Sequence, residues 1–540
     1  MFKTKIEKYT NPKSLLTYFF YILFCVFLLL YVVKCISIVK TTTFSFDGAM
    51  NALAVHSLFG SENNLYNGYP FFDHRVQTGI PVTGLVAISF SLFGESFEAG
   101  LLVNLIYTLL FVLVIVYYLH KCLKLNFFYV SIAFLLFIST RQLFYHAFGL
   151  YGELPALTFF MMSLVVFHKF LESRKNQLLT LFGVLLGLSV LTKTVMLITV
   201  PAYLVTIITL FIVESWKLKD VTKFIWRSLS GFFAPLFIFE LIKFLSLGRL
   251  SYIRWWQTAS IDIGAQAGLS DVYQDTPGII DKLLSHLNNL SINVDLPVWA
   301  IILTLSFLLF GLIWPVLNIV LDKLELSPRK KRDQILPLDV LTLLLVTLSY
   351  FGWWLLITPT QKAMFRRIIN GVYLINFCLP ILFFYFRAHI IRILGQHNQH
   401  YKTAFSVFSV ILSVFLMVFG MYRTIKFKNF DISFTNSDLK TTYLTSGEII
   451  HNLPENSTIY GTGWWQAPIL SFSAKRDFYN IDPLMDQIGN SPLSESYLVS
   501  DHYEFLIDPK APYKILESFE YQVLFSLNKV EIFELIQKLP

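Results

Sequence analysis

"LLTYFFYILFCVFLLLYVVKCISIV", residues 15–39, is a 25-residue apolar run. A helix rises about 1.5 Å per residue and a bilayer's hydrocarbon core is about 30 Å thick, so about 20 such residues cross it. The run is long enough to span a membrane. Lys3, Lys5, Lys8 and Lys13 precede it. It exceeds the roughly 7–15 residues of a secretory signal core, and no A-x-A-like cleavage site follows, so it reads as a retained anchor.

Composition extends this reading to the whole chain. Hydrophobic residues make up 55%, aromatic residues 17% and charged residues only 14%; soluble domains carry about 25% charged residues. With a mean hydropathy of +0.59, the chain reads as a polytopic α-helical membrane protein. The spacing predicts about eleven spans: 15–39, 99–119, 127–143, 151–171, 178–193, 194–213, 228–247, 297–320, 338–358, 367–386 and 403–423. The stretch 178–213 is too long for one crossing and divides at Lys193-Thr194, because a charge at mid-bilayer costs at least about 2.5–3.5 kcal/mol.

Alternating the spans puts the N-terminus and every inter-span basic cluster on one side, including Lys217, Lys219, Lys223, Arg227 and the 329–332 cluster. Cytoplasmic loops retain such residues, so this side is inside. The topology accounts for the net charge of +8 and gives no reason to invoke nucleic acid. The four cysteines, Cys25, Cys35, Cys122 and Cys378, lie in or beside spans and form no C-x-x-C pattern, so neither a disulfide framework nor a cysteine metal site is expected.

The same topology leaves outside the loops 40–98 and 248–296, the turn 359–366, and a tail of mixed polarity from about 425. The tail reads as a small α/β domain over 425–540, beside a membrane domain over 1–424. Its "YQVLFSLNKVEIFEL" has the pattern of a hairpin turned at Asn528-Lys529.

Unusual polar residues gather on this outer face. In "TFSFDGAMNALAVHSLFG", residues 43–60, Phe46, Met50 and Leu53 share one helical face, which predicts an amphipathic segment on the membrane surface. Asp47 stands at its start, either as a helix cap or as a reactive carboxylate. Glu153 of "YGELPALTFF" sits at a span's mouth, where it either meets interfacial water or acts in the site. Lys193 of "LTK" either reaches water or joins that site. Arg366 and Arg367 of "KAMFRRIIN", with Lys362, run against the positive-inside bias; they either snorkel or bind an anion. His74 and Arg75 are candidate substrate contacts. Trp255 and Trp256 suit an interfacial aromatic belt or stacking on a substrate. His56, Glu62, Asp73 and His74 could supply ligands for a divalent metal, but their spacing matches no ligand motif, so no metal is assigned.

Taken in order, the acid after the first span, "YP" followed by "TG-P" and "LFG", "GE-P", "LTK", the late arginine pair and the outer "YGTGWWQAPILSFSAKRDFYNID" resemble a family. They are similar to the polytopic membrane glycosyltransferases of the GT-C class, in the bacterial branch near protein O-mannosyltransferases and aminoarabinose transferases. The resemblance covers most of the chain. It implies a GT-C-like fold, a polyprenyl-phosphate sugar donor used on the outer face of a bacterial plasma membrane, and the first-loop acid as catalytic base. Many relatives carry two adjacent acids there. This chain has Asp47-Gly48, which leaves the second acid's role vacant or moved to Glu153.

The residue types suit that chemistry. Asp47 would accept the proton of an acceptor hydroxyl as it attacks the anomeric carbon. Arg366, Arg367, Lys193 and Lys362 would bind the departing phosphate. A single base opposite the leaving group predicts inversion. The acceptor class, glycan, lipid or protein, is open, and no cofactor is assigned. The alternative function is a transporter or flippase of a lipid-linked sugar. Such proteins often carry paired repeats, and no second half here resembles the first.

Overall fold

The computed structural model describes residues 15–58, 71–72, 78–213, 218–266, 278–323, 336–397, 399–429, 437–461, 467–481, 492–500, 511–528 and 530–539. Its first part is helical throughout: α1 (Leu15–Thr41), α2 (Phe46–His56), α3 (Ile80–Phe93), α4 (Phe97–Tyr117), α5 (Phe127–Ile138), α6 (Leu143–Ala147), α7 (Glu153–Ser173), α8 (Gln177–Thr192), α9 (Thr199–Val213), α10 (Leu218–Gln266), α11 (Ile279–Val294), α12 (Val298–Lys323), α13 (Leu338–Gly352), α14 (Phe365–His397) and α15 (Gln399–Lys426). Among the described residues, eight helices are long and apolar enough to cross a membrane; they belong to α1, α4, α7, α10, α12, α13, α14 and α15. The chain breaks at Lys193, which is extended between α8 and a 3-10 turn, Thr194–Ile198.

Close backbone approach holds α8 against α10. A Cβ on Gly183 would lie 2.1 Å from the Ser228 carbonyl oxygen, one on Gly187 2.3 Å from that of Phe232, and one on Gly231 2.2 Å from that of Thr180. Lipid tails are as apolar as leucine, so helices in a membrane gain by packing closely, and small residues four apart permit it. This seam fixes the end of α8, where Lys193 sits.

Two expectations are corrected here. α10 begins at Leu218, not near 228, because Lys219, Lys223 and Arg227 interrupt the apolar pattern without disfavouring helix. The 248–296 segment is not a plain loop: α10 reverses at Gly248, whose φ of +71° suits glycine, and α11 follows. The reversal packs Phe244 edge-on against Tyr252, at 5.4 Å between ring centres. Glu240 and Lys243 lie on the arm before it, near its tip.

At the end of the bundle remote from Asp47, α4, α7 and α13 are tied by one buried carboxylate. Asp339 Oδ2 accepts from the Tyr118 hydroxyl at 2.8 Å and lies 3.0 Å from His168 Nδ1. Asp339 is in the first turn of α13, where the helix dipole also favours negative charge.

The tail contains α16 (Ser437–His451), β1 (Thr458–Gly461), α17 (Pro468–Ala474), β2 (Tyr479–Asn480), β3 (Pro492–Ser500), α18 (Ala511–Leu516), β4 (Phe519–Leu527) and β5 (Val530–Lys538). The sheet order is β2-β1-β3-β5-β4. β1 runs parallel to β2 and β3, and the other pairs are antiparallel. Leu527 pairs with Val530 around Asn528 at φ +48°, so the hairpin turns at the expected place. Trp464 and Trp465 lie outside the described residues.

α17 seats Phe472 among Phe44, Phe97 and Phe90, at 5.0, 5.4 and 5.8 Å between ring centres. Lys440 of α16 pairs with Glu98 and donates to the Lys40 carbonyl at 2.7 Å. These contacts cover α2, whose Gly48, Ala49, Asn51, Ala52, Leu53, Ala54 and Val55 are all buried. The expected amphipathic segment on the membrane surface is therefore an enclosed helix, because the tail covers faces that the periodicity left for lipid and water.

Candidate active site

Asp47 is the second residue of α2, but it does not cap it. Ser45 does: its Oγ accepts from the Gly48 N–H at 3.1 Å and donates to the Gly149 carbonyl at 2.8 Å. The Asp47 carboxylate turns to Arg366, with which it forms an ion pair. Asn51, one turn further, donates to Thr78 Oγ1 at 3.0 Å and to the Leu150 carbonyl at 2.8 Å. The Ser45–Gly149 and Asn51–Leu150 bonds fasten α2 to the segment 149–152, which leads into α7.

That fastening explains the residue beside Asp47. A Cβ on Gly48 would come within 2.5 Å of the Gly149 carbonyl oxygen, so no second acid fits at position 48. The second carboxylate of the region is Glu153, at the start of α7. Its Oε1 lies 3.2 Å from Lys193 Nζ, and its side chain is 7% exposed. Glu153 Oε2 has no hydrogen-bond partner among the described residues. The extended backbone at Lys193 lets its side chain turn back toward α7, where Nζ also donates to the Tyr151 carbonyl at 2.9 Å.

Arg366 and Arg367 lie in the first turn of α14, where the helix dipole disfavours cations. Nearby acids offset this: Asp47 pairs with Arg366, and the charge of Arg367 reaches Glu153. The Arg366 guanidinium lies over the Tyr151 ring, 5.3 Å from its centre. The Tyr151 hydroxyl donates to that of Tyr145 at 3.0 Å. His146 packs edge-on against Phe365 at 5.4 Å, and burial pushes its pKa down to about 4, so it is neutral at physiological pH.

Four of the expected residues, Asp47, Glu153, Lys193 and Arg366, thus form two ion pairs beside Tyr151, with Arg367 adjacent. Lys362 ends the turn Thr360–Lys362, and its side chain is outside the described residues, as are His74 and Arg75 entirely. Trp255 and Trp256 stand elsewhere, on the returning arm of α10. Lys243 Nζ lies 3.3 Å above the Trp255 ring, and Trp256 Nε1 donates to Glu240 Oε2 at 3.0 Å. That hairpin approaches the segment between α2 and α3 through Phe239 and Phe72, at 6.0 Å. Sequence reasoning missed Tyr151 and His146, because an aromatic residue beside a span signals only the interfacial belt.

Among the described residues no group of three or more His, Cys, Asp or Glu is arranged to hold a metal ion. Of the expected ligands, Glu62, Asp73 and His74 are outside the described residues, and His56 Nδ1 is 2.8 Å from Glu95.

Residues 81–242 match a family model described as dolichyl-phosphate-mannose-protein mannosyltransferase. The matched segment holds Glu153 and Lys193, while Asp47 and Arg366 lie outside it. No curated protein matches the chain in sequence. Two crystal structures of ArnT from Cupriavidus metallidurans are similar in fold. The apo state matches at a TM-score of 0.54 and the form bound to undecaprenyl phosphate at 0.52. Each is 12% identical, over 95% of this chain and 97% of the other. The chain has the fold of the GT-C class of polytopic membrane glycosyltransferases.

Proposed function

We propose that this GT-C-fold chain is a glycosyltransferase that moves a sugar from a polyprenyl-phosphate donor to a hydroxyl of an acceptor, on the outer face of a bacterial plasma membrane. The observation that carries the reading is the Asp47–Arg366 pair beside the Glu153–Lys193 pair. It sets a carboxylate with no capping duty against a cation suited to phosphate. The existence of the same fold with undecaprenyl phosphate bound supports the donor class. Residues 1–424 would form the catalytic membrane domain and 425–540 an extracytoplasmic one.

In this reading the acceptor oxygen attacks the anomeric carbon while Asp47 takes its proton. The bond from that carbon to the phosphate oxygen breaks, and its electron pair leaves with the polyprenyl phosphate. Attack opposite the leaving group inverts the anomeric centre. Arg366, with Arg367, Lys193 and Lys362, neutralises the charge gained by the phosphate. Glu153 holds Lys193 in place and supplies the second carboxylate for which position 48 has no room. The charges in this reading come from side chains, and no cofactor is assigned.

The test is release of free polyprenyl phosphate from a panel of lipid-phosphate sugars by purified protein in reconstituted membranes, with acceptor extracts present. A positioned base contributes about 10²–10⁴-fold, so Asp47→Asn is expected to slow release by about 10²-fold or more with unchanged thermal unfolding. Equal release by both proteins transfers the base role to Glu153. No release from any donor favours the transporter.

A further inference from the structure

Tyr151 touches the cation of each ion pair. Its ring lies under the Arg366 guanidinium, its carbonyl oxygen accepts from Lys193 Nζ, and its hydroxyl meets Tyr145. Lys193 follows α8 and Arg366 opens α14, so the two arrive from separate helices and meet around this residue. The ring is itself held from behind. A Cβ on Gly149 would fall 2.2 Å from it, so the bare Gly149 backbone forms a wall against which the ring lies.

A guanidinium presents its five N–H donors in one plane and none from its faces. Resting one face on an aromatic ring therefore costs no hydrogen bond, and it fixes the plane in which the donors point. Arg366 already uses one edge on Asp47. With the face fixed, its remaining edge is aimed rather than free to rotate about a long side chain. Without the ring, the same side chain would have to be ordered each time a phosphate bound.

We infer that Tyr151 is a positioning residue that acts through Arg366: its ring face orients the guanidinium edge toward the donor phosphate. This rests on the glycosyltransferase reading and adds to it the element that sets phosphate affinity. The ring and the carbonyl are separable, because substitutions at position 151 alter the ring and leave the carbonyl that holds Lys193.

The experiment uses the full chain, purified and reconstituted in nanodiscs, titrated with undecaprenyl phosphate and separately with undecaprenol, and read by native mass spectrometry. The ratio of the two affinities isolates the phosphate contribution from that of the lipid tail. An exposed to desolvated cation–π contact corresponds to roughly a 3- to 30-fold effect, so Tyr151→Leu is expected to reduce the ratio by that factor. Tyr151→Phe, which keeps the ring and loses the hydroxyl, should restore it to within about twofold of wild type. In an Arg366→Lys background, which has no flat cation to orient, Tyr151→Leu should cause little further loss. An unchanged ratio in Tyr151→Leu overturns the inference, as does an equal fall in Tyr151→Phe or full additivity with Arg366→Lys. A general packing defect would lower thermal stability without moving the ratio. If the wild type binds the phosphate no better than the alcohol, the glycosyltransferase reading fails and this inference falls with it.

Discussion

Glu153 and Lys193 are each costly alone and acceptable together. Removing one partner of a buried pair strands the other charge, at about 3–5 kcal/mol, whereas replacing both can be nearly neutral. Lys193→Met is therefore expected to lower the thermal unfolding midpoint markedly, and adding Glu153→Gln should recover part of the loss. Equal destabilisation by the single and double variants would contradict the pairing. The two pairs also mark how far the site was legible in sequence. Asp47, Glu153, Lys193 and Arg366 stand out because a charge beside an apolar run is costly and needs a reason. Tyr151 does not, because its contacts use a ring face and a backbone carbonyl, features that residue type does not advertise. The capping role of Ser45 was equally hidden, since a serine two residues before an aspartate leaves either able to cap.

At the scale of elements, the glycine seam between α8 and α10 sets the height of Lys193. Gly231→Leu would drive a side chain into the Thr180 carbonyl, so the helices must part. The expected result is a lower unfolding midpoint and weaker polyprenyl-phosphate binding together, while Leu229→Ala on an exposed part of the same helix changes neither. Eight long apolar helices were readable because bilayer thickness sets a minimum apolar length, while α5, α8 and α9, expected as spans, are shorter than that. The break at Lys193 was readable because a charge interrupts a run too long for one crossing. The extent of α10 was not readable. Lysine and arginine end a hydropathy window but not a helix, and a reversal at one glycine is invisible to a periodicity that resumes on the other side. α2 was misjudged for a tertiary reason: the surface that α17 covers lies about 420 residues away along the chain.

At the scale of the whole molecule, the tail and the first outer segment share a polar seam. Leu53, His56 and Glu95 face Ser471, Phe472, Lys475, Arg476 and Asp477 across a small cavity. The hydrogen bond to Glu95 raises the pKa of His56 above 6.5, aided by Asp477 and opposed by burial and Lys475. A raised folded-state value means that the stabilisation is complete below the unfolded pKa and is lost as pH rises through the folded one. Between pH 6 and pH 8 the wild-type unfolding midpoint should thus fall more than that of His56→Gln, and parallel profiles would remove His56 from the account. The two ion pairs at the site have a consequence of their own for turnover. Asp47, Glu153, Arg366 and Lys193 sum to zero charge at rest. In the proposed reaction Asp47 becomes neutral at the moment the phosphate gains a negative charge, so this quartet turns net positive only while the product lipid is present. Once the proton escapes to water, Asp47 again competes for Arg366 and the lipid loses its counter-charge, which couples product departure to deprotonation.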